Sequence, residues 1–405
     1  MNHVIAFDVS MGKSAMVIYD RHQHCVWEGE VTHTPAGFRF LKKQIEAVTH
    51  QDGREPHLVF EATGVYSEGL QAFLKEHGYA YSRLNPLEAK LQTASLRRHK
   101  TDVRDAHDLA KSHFRVDRET TYIQEDYYEQ MRALGRYYEE TDKELCRQDN
   151  RLHAFLQLSF PTFETVFSKN TELFYGMVQC YPHSALLADV SNDELCRQIK
   201  QATRKRLSSR QLKESAEALR AAGNASYPAI HPDDVRCRHM KQYAGRILEL
   251  KRHKKEIIRQ MVERSRDRVE FQVFQSFPGI GETTAVRLVG ELGDIRRFQN
   301  AKQINAYIGI DVHRHQSGKL HHPDRINKRG NKRLRRILYF MIMGMLSHRR
   351  RTNNTIVEYY DHLKKQPNGK LHPVAVIACV NKFLKVAFHL IRHGLLYQYE
   401  VGRTS

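Results

Sequence analysis

Apolar and polar residues alternate along three successive runs near the start of the chain, His3 to Val9, Ser14 to Tyr19 and Cys25 to Thr32. A two-residue period with Val, Ile and Phe enrichment is that of strands half-buried on one side. Gly12 and the Asp20 to His24 stretch supply turns, so the pattern predicts a three-stranded antiparallel meander. The period then lengthens. A helix is predicted over Pro35 to Thr49, a strand over His57 to Glu61, a helix over Tyr66 to Glu76 and a short strand over Tyr79 to Arg83. Strands alternating with helices imply parallel pairing.

From Glu125 to Leu158 and from Val235 to Val273 apolar positions recur at helical spacing, with Met131, Leu134, Tyr138 and Leu145 in the first stretch and Ile247, Leu250, Ile257, Ile258 and Met261 in the second. No Gly or Pro follows Gly245 in the second. The two are expected to be arms of an antiparallel coiled coil, a pairing that would also serve dimerisation. Between them a helical insertion is expected at about 161–232, its clearest helix over Leu207 to Ala222 and stopped by Gly223-Asn224. Further on, Phe277-Pro278-Gly279-Ile280-Gly281 followed by Thr283 to Leu292 resembles the hairpin of a helix-hairpin-helix element. The expected division is an α/β domain over 1–118, a helical coiled-coil region over 119–275 and a mainly α domain over 276–405. Three antiparallel strands followed by β-α-β-α is moreover the order expected of a ribonuclease H-like mixed sheet, in which the first strand lies beside the fourth.

Charge narrows the partners. The 405 residues carry 65 Lys and Arg against 46 Asp and Glu, a net +19 with 24 His besides. Such a surplus draws a chain toward phosphate backbones or anionic surfaces. A membrane is not expected, because the longest unbroken apolar run, Ile337 to Leu346, falls far short of the ~20 residues of a spanning helix. Met1 leads straight into a strand-like run rather than a signal peptide. The six cysteines form no Cys-x-x-Cys pair, which speaks against a zinc ribbon or a disulfide framework and favours a reducing cytoplasm.

Within this basic chain four carboxylates stand out. Asp8 is near the end of the first strand and Glu61 at the end of the fourth, so adjacent strands would present both at one rim. Asp102 and Asp105 lie in Lys100-Thr101-Asp102-Val103-Arg104-Asp105-Ala106, where a helix should begin at Thr101 or Asp102 and run to about His113. A spacing of three puts both acids on one helical face. Like charges so crowded repel unless a divalent cation neutralises them. Carboxylate oxygens select Mg²⁺ or Mn²⁺, which can polarise a phosphodiester. Each acid singly has a plainer reading, as turn residue, cap or dipole partner; their joint placement points to metal. Asp108, one turn on, could substitute for either helical acid.

The C-terminal third carries a matching basic feature. Gln316-Ser317-Gly318 opens a polar loop through Asp324, and Lys328-Arg329-Gly330-Asn331-Lys332-Arg333-Leu334-Arg335-Arg336 then leads into the apolar run, with six basic residues in nine positions. Set at the start of a helix, these would clamp phosphate. Gly279 and Gly281 would let backbone amides approach a phosphate at the next helix, and Arg97, Arg98 and Lys100 add positive charge ahead of the acidic helix. Two further clusters, Lys200 to Arg210 and Lys251 to Lys255, decorate the helical middle. Composition gives Ser317 no special standing. His313, His315, His321 and His322 flank it and suit phosphate or solvent better than zinc, since no cysteine or acidic motif completes a site.

Taken together, Ala6-Phe7-Asp8-Val9-Ser10, Glu61-Ala62-Thr63-Gly64, Lys100-Thr101-Asp102 to Asp105-Ala106 with Leu109-Ala110, Pro278-Gly279-Ile280-Gly281, Gln316-Ser317-Gly318 and Lys328 to Arg335 resemble the insertion-sequence transposases of the DEDD class, the IS one-ten family, also called bridge RNA-guided recombinases. The resemblance spans the whole chain. It implies a RuvC-like domain binding Mg²⁺ through Asp8, Glu61, Asp102 and Asp105, and a C-terminal transposase domain whose Ser317 attacks DNA and holds the cut strand as a phosphoserine. It further implies donor and target DNA, a noncoding guide (bridge) RNA that takes over sequence reading, and a homo-oligomer, dimer or tetramer, with acids and serine meeting by domain docking or between subunits. The residues alone leave two alternatives open. One is a Holliday-junction or structure-specific nuclease using metal-activated water; the other is a nucleic-acid-binding scaffold without catalysis.

Overall fold

The computed structural model describes residues 2–86, 89, 101–116, 118–313, 316–317, 320–321, 325–351, 353–365, 367 and 369–400, with the backbone alone at 313, 316, 317, 320 and 321. The chain divides into two compact units, one ending at Ile123 and one beginning at Gln124.

The first unit is built on a five-stranded mixed sheet of order β3-β2-β1-β4-β5. β1 (Val4–Ser10), β2 (Lys13–Tyr19) and β3 (Cys25–Thr32) form the antiparallel meander, and β4 (His57–Glu61) and β5 (Tyr81–Leu84) add in parallel. Period-two alternation sorts the residues of β1 between two cores. Ile5, Phe7 and Val9 pack with Leu41 and Ile45 of the helix Pro35–Asp52 and with Leu70 and Leu74 of the helix Ser67–Glu76. Val4 and Ala6 pack, with Val59, against Ala106, Leu109 and Ala110 of the helix Asp102–Arg115. β5 starts two residues later than expected, because Gly78 at φ +73° turns the chain and Tyr79 is spent in the core.

The second unit is helical. Its axis is a pair of long helices, Asp126–Ser159 and Val235–Ser265. Tyr127 Oη lies 2.8 Å from Ser265 Oγ near one end and Ser159 Oγ lies 3.4 Å from Met240 Sδ near the other, so the two run antiparallel. The second helix was expected to reach Val273 but ends at Ser265. There Ser265 Oγ donates back to the Met261 carbonyl, the Arg268 guanidinium covers the Tyr127 ring at 4.2 Å, and the chain restarts as Val269–Ser276 so that Phe271, Val273 and Phe274 enter a core. The segment between the arms is helical and carries its own core, built on Phe160, Phe163, Phe174 and Leu219 against Leu156 and Ile247. Its helix Ser209–Ala225 is capped by Ser208 and Gln211 as a capping box. Gly223-Asn224 does not stop it. A Cβ on Gly223 would lie 2.8 Å from Leu187 Cδ1, so glycine serves close packing there rather than termination.

The other core of this unit collects Met131, Met261, Phe274, Phe277, Val286, Leu338 and Phe383. Among the described residues one helix, His372–His393, is long and apolar enough to cross a membrane, although Asn381, Lys382 and Lys385 keep it from being an unbroken apolar run. Its Val376, Val380, Phe383 and Ala387 are buried in this core.

The helix Glu282–Leu292 lies on Asp126–Ser159 at backbone contact, since a Cβ on Gly290 would stand 2.7 Å from the Met131 carbonyl oxygen. Gly290→Ala should therefore destabilise this unit by about 1–3 kcal/mol through overpacking. Gly69→Ala, in a helix where an added Cβ meets nothing within 4 Å, should stabilise the first unit by roughly 0.5–1 kcal/mol. Urea unfolding midpoints of the two variants check both signs.

Candidate active site

The sheet places the first two acids. Phe7 pairs with Phe60 across the parallel β1–β4 ladder, and Asp8 and Glu61 are the next residue on each strand. Alternation puts them on the face of Val4, Ala6 and Val59, the face covered by the helix Asp102–Arg115. Both are half-buried.

The direction of that helix decides where its own acids go. Thr101 caps it, accepting from the Arg104 amide at 3.3 Å, and Asp102 and Asp105 fill its first turn. Lys13 lies at the β1–β2 turn, paired with Ser10. Its ammonium is held above the ordinary lysine value first by the hydrogen bond to Glu30, then by the Glu30 charge, with Asp102 adding to it. At the other end of the helix the His113 ring lies 5.0 Å from that of His57, where β4 begins. The helix thus runs against β1 and β4, with its first turn over their carboxyl ends. That direction brings the first turn, with Asp102 and Asp105, toward the end of the sheet face where Asp8 and Glu61 lie. Asp108 stands one turn further along the helix, where its charge acts on Tyr19, the partner of Val4 on β1. Lys13 escaped the sequence reading, since a lysine after a glycine turn carries no signal of its own. A donor set made wholly of carboxylates suits a hard divalent cation.

In the second unit Gln316–Ser317 pairs antiparallel with Leu320–His321, nested in sequence within the pairing of Val312–His313 with Arg325–Ile326. The stretch expected as a polar loop therefore contains a β-ribbon, with Ser317 opposite Leu320. The side chains of Ser317, His313 and His321, and all of His315, His322, Arg97, Arg98 and Lys100, lie outside the described residues.

The basic segment beyond the ribbon splits by task. Gly330 is pressed on the preceding helix end, where a Cβ would stand 2.3 Å from the Tyr307 carbonyl oxygen. Asn331 caps the helix Lys332–Ser347, its Oδ1 accepting from the Arg333 and Leu334 amides at 3.1 Å, while its Nδ2 donates to the buried Glu291 carboxylate at 2.8 Å. Arg335 donates to the Ile308 carbonyl at 2.6 Å, and burial draws its guanidinium below its ordinary value. Arg333 sits 3.4 Å from Glu139. These three residues hold the loop. Lys328, Arg329, Lys332 and Arg336 are exposed. Beside Asn331 is Tyr307: burial opposes ionisation, yet the Arg132 and Arg297 charges and the Asn331 hydrogen bond hold its hydroxyl below the usual phenol range.

Phe277 to Ile280 forms a tight turn closed by the Ile280 amide on the Phe277 carbonyl at 3.1 Å, with Gly279 at φ +91°. A Cβ on Gly279 would stand 3.2 Å from Met345 Cα, which accounts for that glycine by packing. Gly281 caps the helix Glu282–Leu292. Gly279, Thr284, Arg287 and Arg336 line one cleft of about 510 Å³ with Lys143 and Arg147.

Two family models match this chain in order. A transposase model of the DEDD IS110 type covers residues 5–161, and one described as the transposase IS116/IS110/IS902 family covers 271–360. The chain is 38% identical over 77 residues, 19% of its length and 21% of the relative's, to the transposase for insertion sequence element IS1111A of Coxiella burnetii. It is 26% identical over 126 residues, 31% of its length and 30% of the relative's, to the IS110 uncharacterized 43.6 kDa protein of Streptomyces coelicolor. With the pilin gene-inverting protein of Moraxella bovis it shares 24% identity over 94% of this chain and 92% of that one. Among solved structures, T. thermophilus RuvC in complex with a Holliday junction substrate aligns with 28% of this chain and 93% of its own at 12% identity and a TM-score of 0.22; the strand order, rather than that loose alignment, describes the fold. With matches at both ends of the chain and a relative aligned along nearly all of it, the protein belongs to the IS110 family of insertion-sequence transposases.

Proposed function

We propose that this transposase cuts and rejoins DNA through a covalent serine intermediate, with Ser317 as nucleophile and the rim of Asp8, Glu61, Asp102 and Asp105 as the seat of Mg²⁺ or Mn²⁺. The observation that carries the reading is that Asp8 and Glu61 follow an in-register parallel pair on the sheet face covered by the helix whose first turn bears Asp102 and Asp105, in a chain with net charge +19. When bound, the cation would polarise the phosphate under attack and offset the carboxylate charge. Ser317 Oγ forms a bond to phosphorus as the bond from phosphorus to one deoxyribose oxygen breaks, and that oxygen takes up a proton. A deoxyribose hydroxyl of the second duplex then attacks the phosphoserine, and the Ser317 oxygen leaves. Each step exchanges one phosphate ester for another, so rejoining needs no external energy source. The relative named a gene-inverting protein supports rejoining over hydrolysis, since inversion restores every phosphodiester.

The substrates in this reading are donor and target DNA, with a noncoding guide RNA supplying sequence recognition and the protein gripping backbones. The active form is a homo-oligomer in which serine and acids act on the same phosphodiester, within one chain or across subunits. Lys328, Arg329, Lys332 and Arg336 are the phosphate contacts, joined by Arg97, Arg98 and Lys100, with the amides after Gly279 and Gly281 offering a further one.

The experiment is a denaturing gel of the protein incubated with Mg²⁺, guide RNA and end-labelled DNA. A labelled band at protein-plus-DNA mass is expected from the wild type and is lost in Ser317→Ala. Hydrolysed ends without that band, undiminished in Ser317→Ala, would instead identify a nuclease using metal-activated water. Asp102→Asn should lower strand cleavage by about a hundredfold or more, and unchanged cleavage would return that acid to a helix-dipole role.

The exposed cations and the inward ones should separate by salt dependence. Arg329→Ala and Lys332→Ala should each flatten the slope of log affinity for duplex DNA against log salt by about 0.9. Arg335→Ala should leave the slope unchanged and cost about 1–3 kcal/mol of stability, because the Ile308 carbonyl loses its donor.

A further inference from the structure

The edge strand β3 carries an irregularity that the catalytic reading does not use. Val17 pairs with Glu28 and Ile18 with Trp27, but Tyr19 pairs with Cys25, so β3 carries one extra residue, Val26, opposite the step from Ile18 to Tyr19. A bulge of this kind re-aims side chains. Strict alternation would send Cys25 and Glu28, three residues apart, to opposite faces. With Val26 looped out, both stand opposite Val17 and Tyr19, on the face where the helix Asp102–Arg115 lies. His107 of that helix meets them. Its Nε2 is 2.8 Å from Glu28 Oε2, its Nδ1 is 2.7 Å from Tyr19 Oη, and one ligand atom each of Cys25, Glu28 and His107 falls within 4.8 Å of the others.

We propose that Cys25, Glu28 and His107 bind a transition-metal ion of the zinc type, which ties the edge strand of the sheet to the helix bearing Asp102 and Asp105. Thiolate, imidazole and carboxylate are the donors that select zinc over magnesium, so this site and the all-carboxylate rim sort metals by softness. Bonds of about 2.0–2.3 Å fit a centre among atoms so spaced. Glu28 and His107 exchange their hydrogen bond for a shared ion: the metal takes the place of the proton on Nε2, the ring keeps a proton on Nδ1 toward Tyr19 Oη, and the Cys25 thiol gives up its proton to solvent as Sγ binds. Tyr19 orients the ring from behind by holding Nδ1, the outer-shell role that histidine ligands commonly require. Cys25 and Glu28 are exposed, which leaves the fourth position to water. An ion pair between His107 and Glu28 alone would need neither the bulge nor a thiol at Cys25.

Co²⁺ added to the full-length protein tests this, because a cobalt–thiolate bond absorbs in the near ultraviolet. The expected result is a charge-transfer band that saturates at one equivalent. Cys25→Ser abolishes it, His107→Gln and Glu28→Gln raise the Co²⁺ concentration at half-saturation at least about tenfold, and Asp102→Asn leaves it intact. Cys25→His, which supplies another ligand, should restore visible cobalt absorption without the near-ultraviolet band, showing that Cys25→Ser lost a ligand rather than its fold. No band in the wild type, or an undiminished band in Cys25→Ser, overturns the proposal. An unshifted half-saturation concentration in both His107→Gln and Glu28→Gln would overturn it as well.

Discussion

The parallel pairing of β1 with β4 is the constraint on which the rest of the first unit depends. In a parallel ladder neighbours in register point to the same face. Once Phe7 sits beside Phe60, the two strands must deliver Asp8 and Glu61 to one rim and one side. The helix Asp102–Arg115 packs its small residues Ala106 and Ala110 on Ala6 and Val59. Small side chains on both surfaces let it lie close, and its direction leaves its first turn over the same rim. Carboxylates gathered at one end of a sheet face repel one another, a cost that a bound divalent cation would relieve.

The second unit is organised by a different constraint, which is the burial of charge. Glu291, 3% exposed, accepts from Asn331 and lies 3.3 Å from Arg136. Glu270, 2% exposed, accepts from Tyr128 at 2.7 Å and pairs with Arg296 at 2.9 Å. Buried carboxylates so paired are costly to strip of one partner and fix a register between helices that apolar packing alone would leave loose. Through Asn331 and Arg335 this network reaches the turn that follows the Ser317 ribbon, so the fold of the helical unit and the presentation of its exposed cations are one problem.

Much of this was legible in the sequence. The five strands, their order and the helix start at Thr101 follow from a period of two, from alternation of strand and helix, and from Thr-Asp at a cap. What escaped shares a cause. The bulge at Val26, the turn after Ser265 and the passage of a helix through Gly223-Asn224 are set by tertiary packing, against local signals that say otherwise. Six basic residues in nine positions looked alike in the sequence, yet Arg335 and Arg333 point into the fold and the remaining four face outward. Charge is written in a sequence; the carbonyl or carboxylate a guanidinium will meet is not. Gly279 has a conformational reason to be glycine that the sequence does not display, its φ of +91° and the nearness of Met345.

The measurement that bears most directly on the central claim is Mn²⁺ binding to the full-length protein, followed by the loss of the free-ion magnetic resonance signal. If the four acids form one site, Asp8→Asn, Glu61→Gln, Asp102→Asn and Asp105→Asn each weaken binding of the same ion, while His107→Gln does not. Four single variants that all retain wild-type affinity would contradict the account, and would return the acids to separate duties as strand ends and helix caps.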